Sequence, residues 1–301
     1  IHYVLRMLWA QGLRHSRVAT GQGGAMQAKI SCAELGVLDG PLLLFGGPYS
    51  NLQAVEALAA FAAARGIDGG QMICTGDIVA YCGAPRECVA AIRALGCAVV
   101  AGNCEVQLAS GAEDCGCGFA PGSSCDMLSG AWYAHAARAL DAEAKTWMGS
   151  LPDVAVFQHQ GQRYGVIHGG VRDVARFIWS ESAGAVFEEE WQALEEVTGP
   201  VDHIIAGHSG LPFIRKMARG RWINAGVIGM PPHDGGQQTR VAVLDGGEVR
   251  FHRLSYDVAG AVADMTKAGL PRAYADALQS GYWPSEDVLP PGLRVPSLAR
   301  G

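Results

Sequence analysis

Cys74-Thr-Gly-Asp-Ile-Val-Ala-Tyr81, a helical run, and then Ala98-Val-Val-Ala-Gly-Asn-Cys-Glu105 decide how this chain folds. The apolar runs Met72–Cys74 and 98–101 read as short buried strands. Each stops at a glycine followed at once by an oxygen-bearing side chain, Gly76-Asp77 and Gly102-Asn103. Between them Pro85–Leu95 has helical spacing. Strand, helix and strand in this order form the βαβ unit of a parallel sheet. In such sheets chemistry lies beyond the carboxyl ends of the strands. Asp77 and Asn103 are therefore expected side by side at one rim.

Upstream, residues 41–45 form a strand that enters Gly46-Gly-Pro-Tyr-Ser50, and Asn51 caps the next helix. Downstream of Glu105 the pattern breaks. Residues 106–128, rich in Gly and Cys, read as an irregular excursion returning through a helix over about 128–148. Strands over 154–157 and 163–167 flank a turn at Gly161, and the second runs into His168-Gly-Gly170. A helix follows over 188–197, and His203–Ala206 is a strand ending at Gly207-His-Ser-Gly210. Further strands are expected at Phe213–Met217, 222–225, 241–244 and 249–254, and a last helix at 258–268.

The chain has 301 residues, of which 49% are apolar and 17% charged, enough to bury a full core. One α/β domain is expected over residues 26–270, built of two packed sheets flanked by helices. Residues 1–25 read as a poorly ordered N-terminal extension with Met26 a natural start. Residues 271–301, with Pro284, Pro290, Pro291 and Pro296, read as a C-terminal extended arm. The net charge of −6 argues against non-specific nucleic-acid binding and against an anionic membrane surface. No run reaches transmembrane length. Nine cysteines, an odd and sparse set, do not make a disulfide scaffold and point to a reducing cytoplasm. Oligomeric state is not legible.

The polar strand-end loops are Gly-Gly-Pro-Tyr-Ser-Asn, Gly-Asp, Gly-Asn-Cys-Glu, His-Gly-Gly and Gly-His-Ser-Gly, in that order. A lone histidine after a strand is more often a satisfied buried residue than a ligand. Carboxylate, amide oxygen and two imidazoles together suit a borderline divalent cation such as Mn²⁺, Zn²⁺ or Fe²⁺.

On these loops the chain resembles the calcineurin-like metallophosphoesterases, in particular their small bacterial phosphodiesterase branch. The family order is Asp-x-His, Gly-Asp, Gly-Asn-His-Asp/Glu, His-Gly and Gly-His-x-His. Ser50-Asn-Leu-Gln-Ala54, residues 81–89 and Asn224-Ala-Gly-Val-Ile-Gly229 extend the likeness, which covers about residues 42–229. The resemblance implies a four-layer αββα sandwich of two mixed β-sheets flanked by helices. It implies metal-dependent hydrolysis of a phosphate ester, phosphodiester or phosphoanhydride on a small phosphorylated substrate. It makes Asp77 the bridging ligand and Asn103, His168 and His208 the other protein ligands of one of two metals. The other metal's ligands are largely replaced: Gly47 and Tyr49 stand in Asp-x-His, and Gly210 ends Gly-His-x-His. Cys104 stands where the family's leaving-group histidine would be.

Several readings of the altered half follow. One metal at Asp77, Asn103, His168 and His208 activates water, with Cys104 or Glu105 helping. Alternatively Tyr49, Glu105, Cys115, Cys117 and Cys125 rebuild a second, mixed-valence site, giving one or two metals per chain. In a third reading the domain is a non-catalytic module for a metal or phospho-ligand. In a fourth, Cys104 is a thiolate nucleophile. Small buried residues in a tight loop are the plain alternative for the excursion cysteines. Arg172 and Arg176 are candidate phosphate contacts, with helix-start salt bridges the plainer role.

Overall fold

The computed structural model describes residues 29–295, and every element and count below refers to these. In chain order the first elements are β1 (Cys32–Val37), β2 (Leu42–Phe45), α1 (Leu52–Ala63), β3 (Met72–Cys74), α2 (Pro85–Leu95), β4 (Ala98–Val99) and α3 (Asn103–Ser110). Then come α4 (Ser124–Ala139), α5 (Ala142–Met148), β5 (Val154–His159), β6 (Gln162–Val166), α6 (Gly184–Thr198) and β7 (His203–Ala206). The chain continues through β8 (Phe213–Met217), β9 (Gly220–Asn224), β10 (Thr239–Asp245), β11 (Glu248–Leu254), α7 (Val258–Lys267) and α8 (Arg272–Ser280).

A five-stranded sheet has the order β11-β10-β2-β3-β4, and a six-stranded sheet the order β1-β5-β6-β7-β9-β8. Both are mixed. β2, β3 and β4 are parallel, as are β6, β7 and β9, while β10 and β8 add antiparallel partners. Leu42, Leu44 and Ile73 of one sheet meet Phe157, Val166 and Ile205 of the other in a continuous apolar core. The outer face of the five-stranded sheet carries α1, α2, α4, α7 and α8, and α6 covers the six-stranded sheet through Phe187, Trp191 and Leu194. Four layers, αββα, result, because each sheet has two apolar faces and each must be covered.

Local chemistry explains the central unit. α2 has Pro85 in its first turn, where no intrahelical N–H is needed, and ends at Gly96 in the left-handed region at φ 69°. It buries Cys88, Val89 and Ile92. These bounds match the expected ones.

The irregular excursion starts later than expected. Residues 103–110 form α3, because Glu105 accepts the Gly102 N–H in a helix-start clasp. The return helix is two helices. Asp141 breaks it by capping α5, its carboxylate accepting the Ala144 N–H. The extended arm expected after residue 270 begins instead as α8, which buries Tyr274, Ala277 and Leu278 in the core. The prolines that suggested extension lie beyond its end at Gly281. β1 had no counterpart in the pattern, and it pairs parallel with β5. The expectation for residues 1–25 falls outside the described residues, as does Pro296. No helix among the described residues is long and apolar enough to cross a membrane.

Candidate metal centre

The candidate residues gather where parallel strands of both sheets end. Asp77 follows β3, Asn103 opens α3 after β4, His168 follows β6 and His208 follows β7. Asp77 has a left-handed backbone, φ 57°, a conformation that non-glycine residues rarely adopt. Glu105 holds it there. Its Oε2 accepts the N–H groups of Asp77 at 2.7 Å and Gly102 at 2.9 Å, and its Oε1 accepts Ile78 N–H at 2.8 Å. Both carboxylate oxygens are engaged by backbone. Glu105, expected as a ligand candidate, is a buried clamp on the Asp77 turn. Burial and the neighbouring Asp77 charge push its pKa up to about 7.

Asp77 Oδ1 accepts the Cys104 N–H at 3.2 Å. Its Oδ2 lies 3.3 Å from His168 Nε2 and 3.9 Å from His208 Nδ1. His168 Nδ1 is 2.5 Å from the Thr75 carbonyl, to which it donates. That bond fixes the proton on Nδ1 and turns Nε2 toward the other candidate ligands. Nε2 faces Asn103 Oδ1 at 3.2 Å and His208 Nδ1 at 2.9 Å. The Asn103 amide is oriented by its Nδ2 donating to the Cys115 carbonyl at 2.9 Å. Asp77 Oδ2, Asn103 Oδ1 and His208 Nδ1 thus gather at one spot, each 2.9–3.3 Å from His168 Nε2.

That spot fits a cation. Metal–nitrogen and metal–oxygen bonds near 2.1 Å set ligand-to-ligand separations of roughly 3.0–3.4 Å in tetrahedral or octahedral geometry. The separations here run from 2.9 to 3.9 Å. The ligand atoms of Asp77, His168 and His208 all lie within 4.8 Å of one another, and all three residues are buried. Burial works against a charged Asp77, but His168, His208 and the Cys104 N–H outweigh it and hold the carboxyl at about 2. Burial and the charge of His168 push His208 down to about 3, so its ring is neutral and basic toward a metal. For His168, burial lowers the pKa while Asp77 and the Thr75 carbonyl raise it, with a net rise.

Asp77 and His208 also line a cleft. Six aromatic rings line it as well, Tyr49, Tyr81, Phe119, Phe177, Tyr274 and Trp283, alongside smaller side chains such as Cys125, Met230 and Val288. Tyr49 packs edge-on to Tyr81 with centroids 4.7 Å apart. Burial, with the nearby charges of Asp77, Cys104 and Glu105, raises its hydroxyl pKa well above the ordinary value, so the phenol is neutral. At Gly47 a Cβ would lie 2.5 Å from Val227 Cγ1 and 2.7 Å from Tyr49 Cζ, so no side chain fits there. At Gly210 a Cβ would meet Trp283 Cζ2 at 3.4 Å. Val227 and Tyr49 atoms fill the space that a side chain at position 47 would enter, whereas a Cβ at position 210 would make ordinary van der Waals contact with Trp283.

The remaining candidates do not join the Asp77–His168–His208 group. Cys104 is 1% exposed and does not line the cleft. Burial, followed by the charges of Asp77 and Glu105, raises its pKa and keeps it a thiol, which does not suit a thiolate nucleophile. Cys115 and Cys117 are joined by a disulfide, so neither sulfur is free as a thiolate ligand. Cys125 lines the cleft as a free, half-buried thiol, outside the Asp77–His168–His208 group. Arg172 pairs with the exposed Glu196. Arg176 pairs with Glu189 at 2.8 Å and the buried Glu190 at 2.6 Å. Neither arginine lines the cleft. The sequence reading missed Tyr81, Phe119, Phe177, Tyr274 and Trp283, which are distant in the chain and share no spacing.

Residues 50–247 match the family model of the calcineurin-like phosphoesterase superfamily domain. An uncharacterized protein of Methanocaldococcus jannaschii is 25% identical over 257 residues, which span 77% of this chain and 95% of its own. A metallophosphoesterase from Sphaerobacter thermophilus, known as a crystal structure, is 23% identical with a TM-score of 0.63, covering 81% of this chain and 100% of that one. A hypothetical protein from Pyrococcus horikoshii, also a crystal structure, is 19% identical with a TM-score of 0.64, covering 81% and 99%. At these identities the structural likeness concerns the fold.

Proposed function

The chain belongs to the calcineurin-like phosphoesterase superfamily, and on that premise we propose that it hydrolyses a small phosphoester with a single divalent cation held by Asp77, Asn103, His168 and His208. The observation that carries this reading is the convergence of Asp77 Oδ2, Asn103 Oδ1, His168 Nε2 and His208 Nδ1 at ligand-to-ligand distances. Mn²⁺, Zn²⁺ and Fe²⁺ all suit this mixed oxygen and nitrogen set. Such a cation supplies Lewis-acid polarisation of a phosphoryl oxygen and charge stabilisation in the transition state.

The protein's own groups do the rest. The Thr75 carbonyl fixes the His168 tautomer, and the Cys115 carbonyl aims the Asn103 oxygen. Glu105 keeps the Asp77 turn in place. The neutral phenol of Tyr49, in the same cleft as Asp77, is our candidate donor toward the leaving-group oxygen. A reducing cytoplasm suits the free thiols Cys74, Cys82, Cys88 and Cys104, with Cys115–Cys117 the exception. The filled space at Gly47, where no ligand side chain fits, favours one cation over two. That same filling supports a second reading, a metal- or phospho-ligand-binding module without turnover.

Elemental analysis and turnover of bis(p-nitrophenyl) phosphate with added Mn²⁺ separate the two. The enzyme reading expects about one metal per chain, lost together with turnover in His168→Ala. Tyr49→Phe should keep its metal and lose roughly 10²- to 10⁴-fold in kcat. Metal without turnover of any phosphoester would leave the binding module. Protein that takes up no metal would end the enzyme reading and the metal-binding module, leaving only a phospho-ligand module.

A further inference from the structure

We infer that the cleft is an aromatic subsite, and that the substrate is a phosphoester whose planar ring stacks among Tyr81, Phe119, Phe177, Tyr274 and Trp283 while its phosphorus lies beside Asp77 and His208. The inference rests on the phosphoester reading of the same site and adds the class of group that the ester carries.

Ring geometry is its first support. Tyr81 contacts Tyr49 at 4.7 Å and Tyr274 at 4.9 Å between centroids. Phe119 is stacked with Phe177 at 6.3 Å. Phe177 also touches the His208 ring at 4.4 Å, so an aromatic wall and a candidate ligand are in direct contact. Tyr81, Phe119, Phe177 and Trp283 are each only partly buried, which leaves ring surface for a guest. Offset-stacked and edge-to-face contacts with such rings favour a flat π-system over an aliphatic chain.

The backbone supports it independently. Tyr49 and Tyr81 both adopt left-handed backbone, at φ 52° and 40°. Bulky residues do so only where the surroundings over-determine them, and such outliers cluster at ligand sites. Trp283 is also held in place. Its backbone N–H donates to His233 Nδ1 at 2.8 Å, and its indole Nε1–H donates to the Pro231 carbonyl at 2.8 Å. The Glu286 carboxylate fixes the opposite edge of His233 at 2.7 Å. The indole is a preorganised wall.

Charge narrows the substrate. Among the described residues that line the cleft there is no Lys or Arg. A nucleoside polyphosphate would bring several negative charges with no side-chain cation to meet them. A phosphomonoester or phosphodiester of an aromatic alcohol brings few, which one divalent cation can balance. The cleft is also narrow, about 70 Å³, so it suits one flat ring with the remainder of the molecule in solvent.

Two phosphonates, whose P–C bond takes the place of the ester oxygen and is not cleaved by ester hydrolysis, provide the test. Phenylphosphonate and methylphosphonate are titrated calorimetrically into the full-length Mn²⁺-loaded protein and into the Trp283→Ala and Phe119→Ala variants, with circular dichroism and metal content confirming fold and loading. Ring stacking predicts that phenylphosphonate binds roughly 5- to 100-fold tighter than methylphosphonate to the parent protein. The preference should shrink in at least one variant while methylphosphonate affinity stays the same. Equal affinities, or a preference untouched in both variants, would overturn the aromatic subsite and leave the phosphoester reading standing. Failure of both phosphonates and of inorganic phosphate to bind would remove the subsite together with the reading beneath it.

Discussion

Glu105 and Cys104 show how a single position changes meaning once its neighbours are known. In the chain they are an acidic and a thiol group beside a candidate ligand. In the fold, Glu105 accepts three backbone N–H groups and Cys104 is a thiol outside the cleft. Removing the carboxylate would leave the N–H groups of Asp77, Ile78 and Gly102 buried without this acceptor. Glu105→Ala should therefore lose about 3–5 kcal/mol of stability in urea unfolding. It should also lose metal, since the N–H groups of Asp77 and Ile78 lose the acceptor that helps hold the left-handed Asp77 turn. A variant with unchanged midpoint and metal content would show that the clamp is dispensable. The candidate ligands Asp77, Asn103, His168 and His208 were readable because each sits at a glycine-punctuated strand end. The ring walls were not, because Tyr81 and Trp283 are brought together by tertiary packing alone.

At the scale of elements, the strong signals were those with their own start and stop chemistry. α2 has its proline and its left-handed glycine, and its bounds were legible to the residue. α3 was missed because a helix opening on Gly-Asn-Cys-Glu reads as a loop until Glu105 is seen to clasp Gly102. α8 was missed because the prolines after it dominate the local pattern. Its amphipathic face, Tyr274, Ala277 and Leu278, was the available clue. Leu278 is fully buried in the core that α8 shares with α7. Truncation to alanine removes that packing, and Leu278→Ala should cost about 2–5 kcal/mol in denaturant unfolding. Because α8 carries the cleft residue Tyr274 and leads directly into Trp283, phenylphosphonate affinity should fall with it. Wild-type stability in this variant would mean that α8 is only loosely docked.

At the scale of the molecule, pH links burial to stability. His203 opens β7, and its Nδ1 accepts the Arg221 N–H at 3.1 Å. Burial, with the charge of Arg221 adding to it, lowers its pKa from 6.5 to about 4. The unfolded chain therefore binds this proton first as pH falls. Stability is fully present above pH 6.5 and drains away between 6.5 and about 4. After discounting for solvent screening, the loss is on the order of 1–2 kcal/mol. Urea midpoints across this range should decline in the parent protein and flatten in His203→Gln. Parallel declines in both would assign the effect to other groups.

The sequence by itself determined the α/β class, the central βαβ unit and the strand-end residues Asp77, Asn103, His168 and His208. These are local matters: apolar runs, helical spacing, and glycines at the points where strands must stop. It also showed that positions 47, 49, 104 and 210 depart from the resembled pattern. What those departures do was decided only by tertiary structure. Tyr49 Cζ and Val227 occupy the space beside Gly47, and the cysteines that might have rebuilt a metal site are a buried thiol, a disulfide and a free thiol apart from the cluster. Tyr49 and Val227, far apart in the chain, share the volume beside Gly47, and chain spacing carries no information about which side chain fills it.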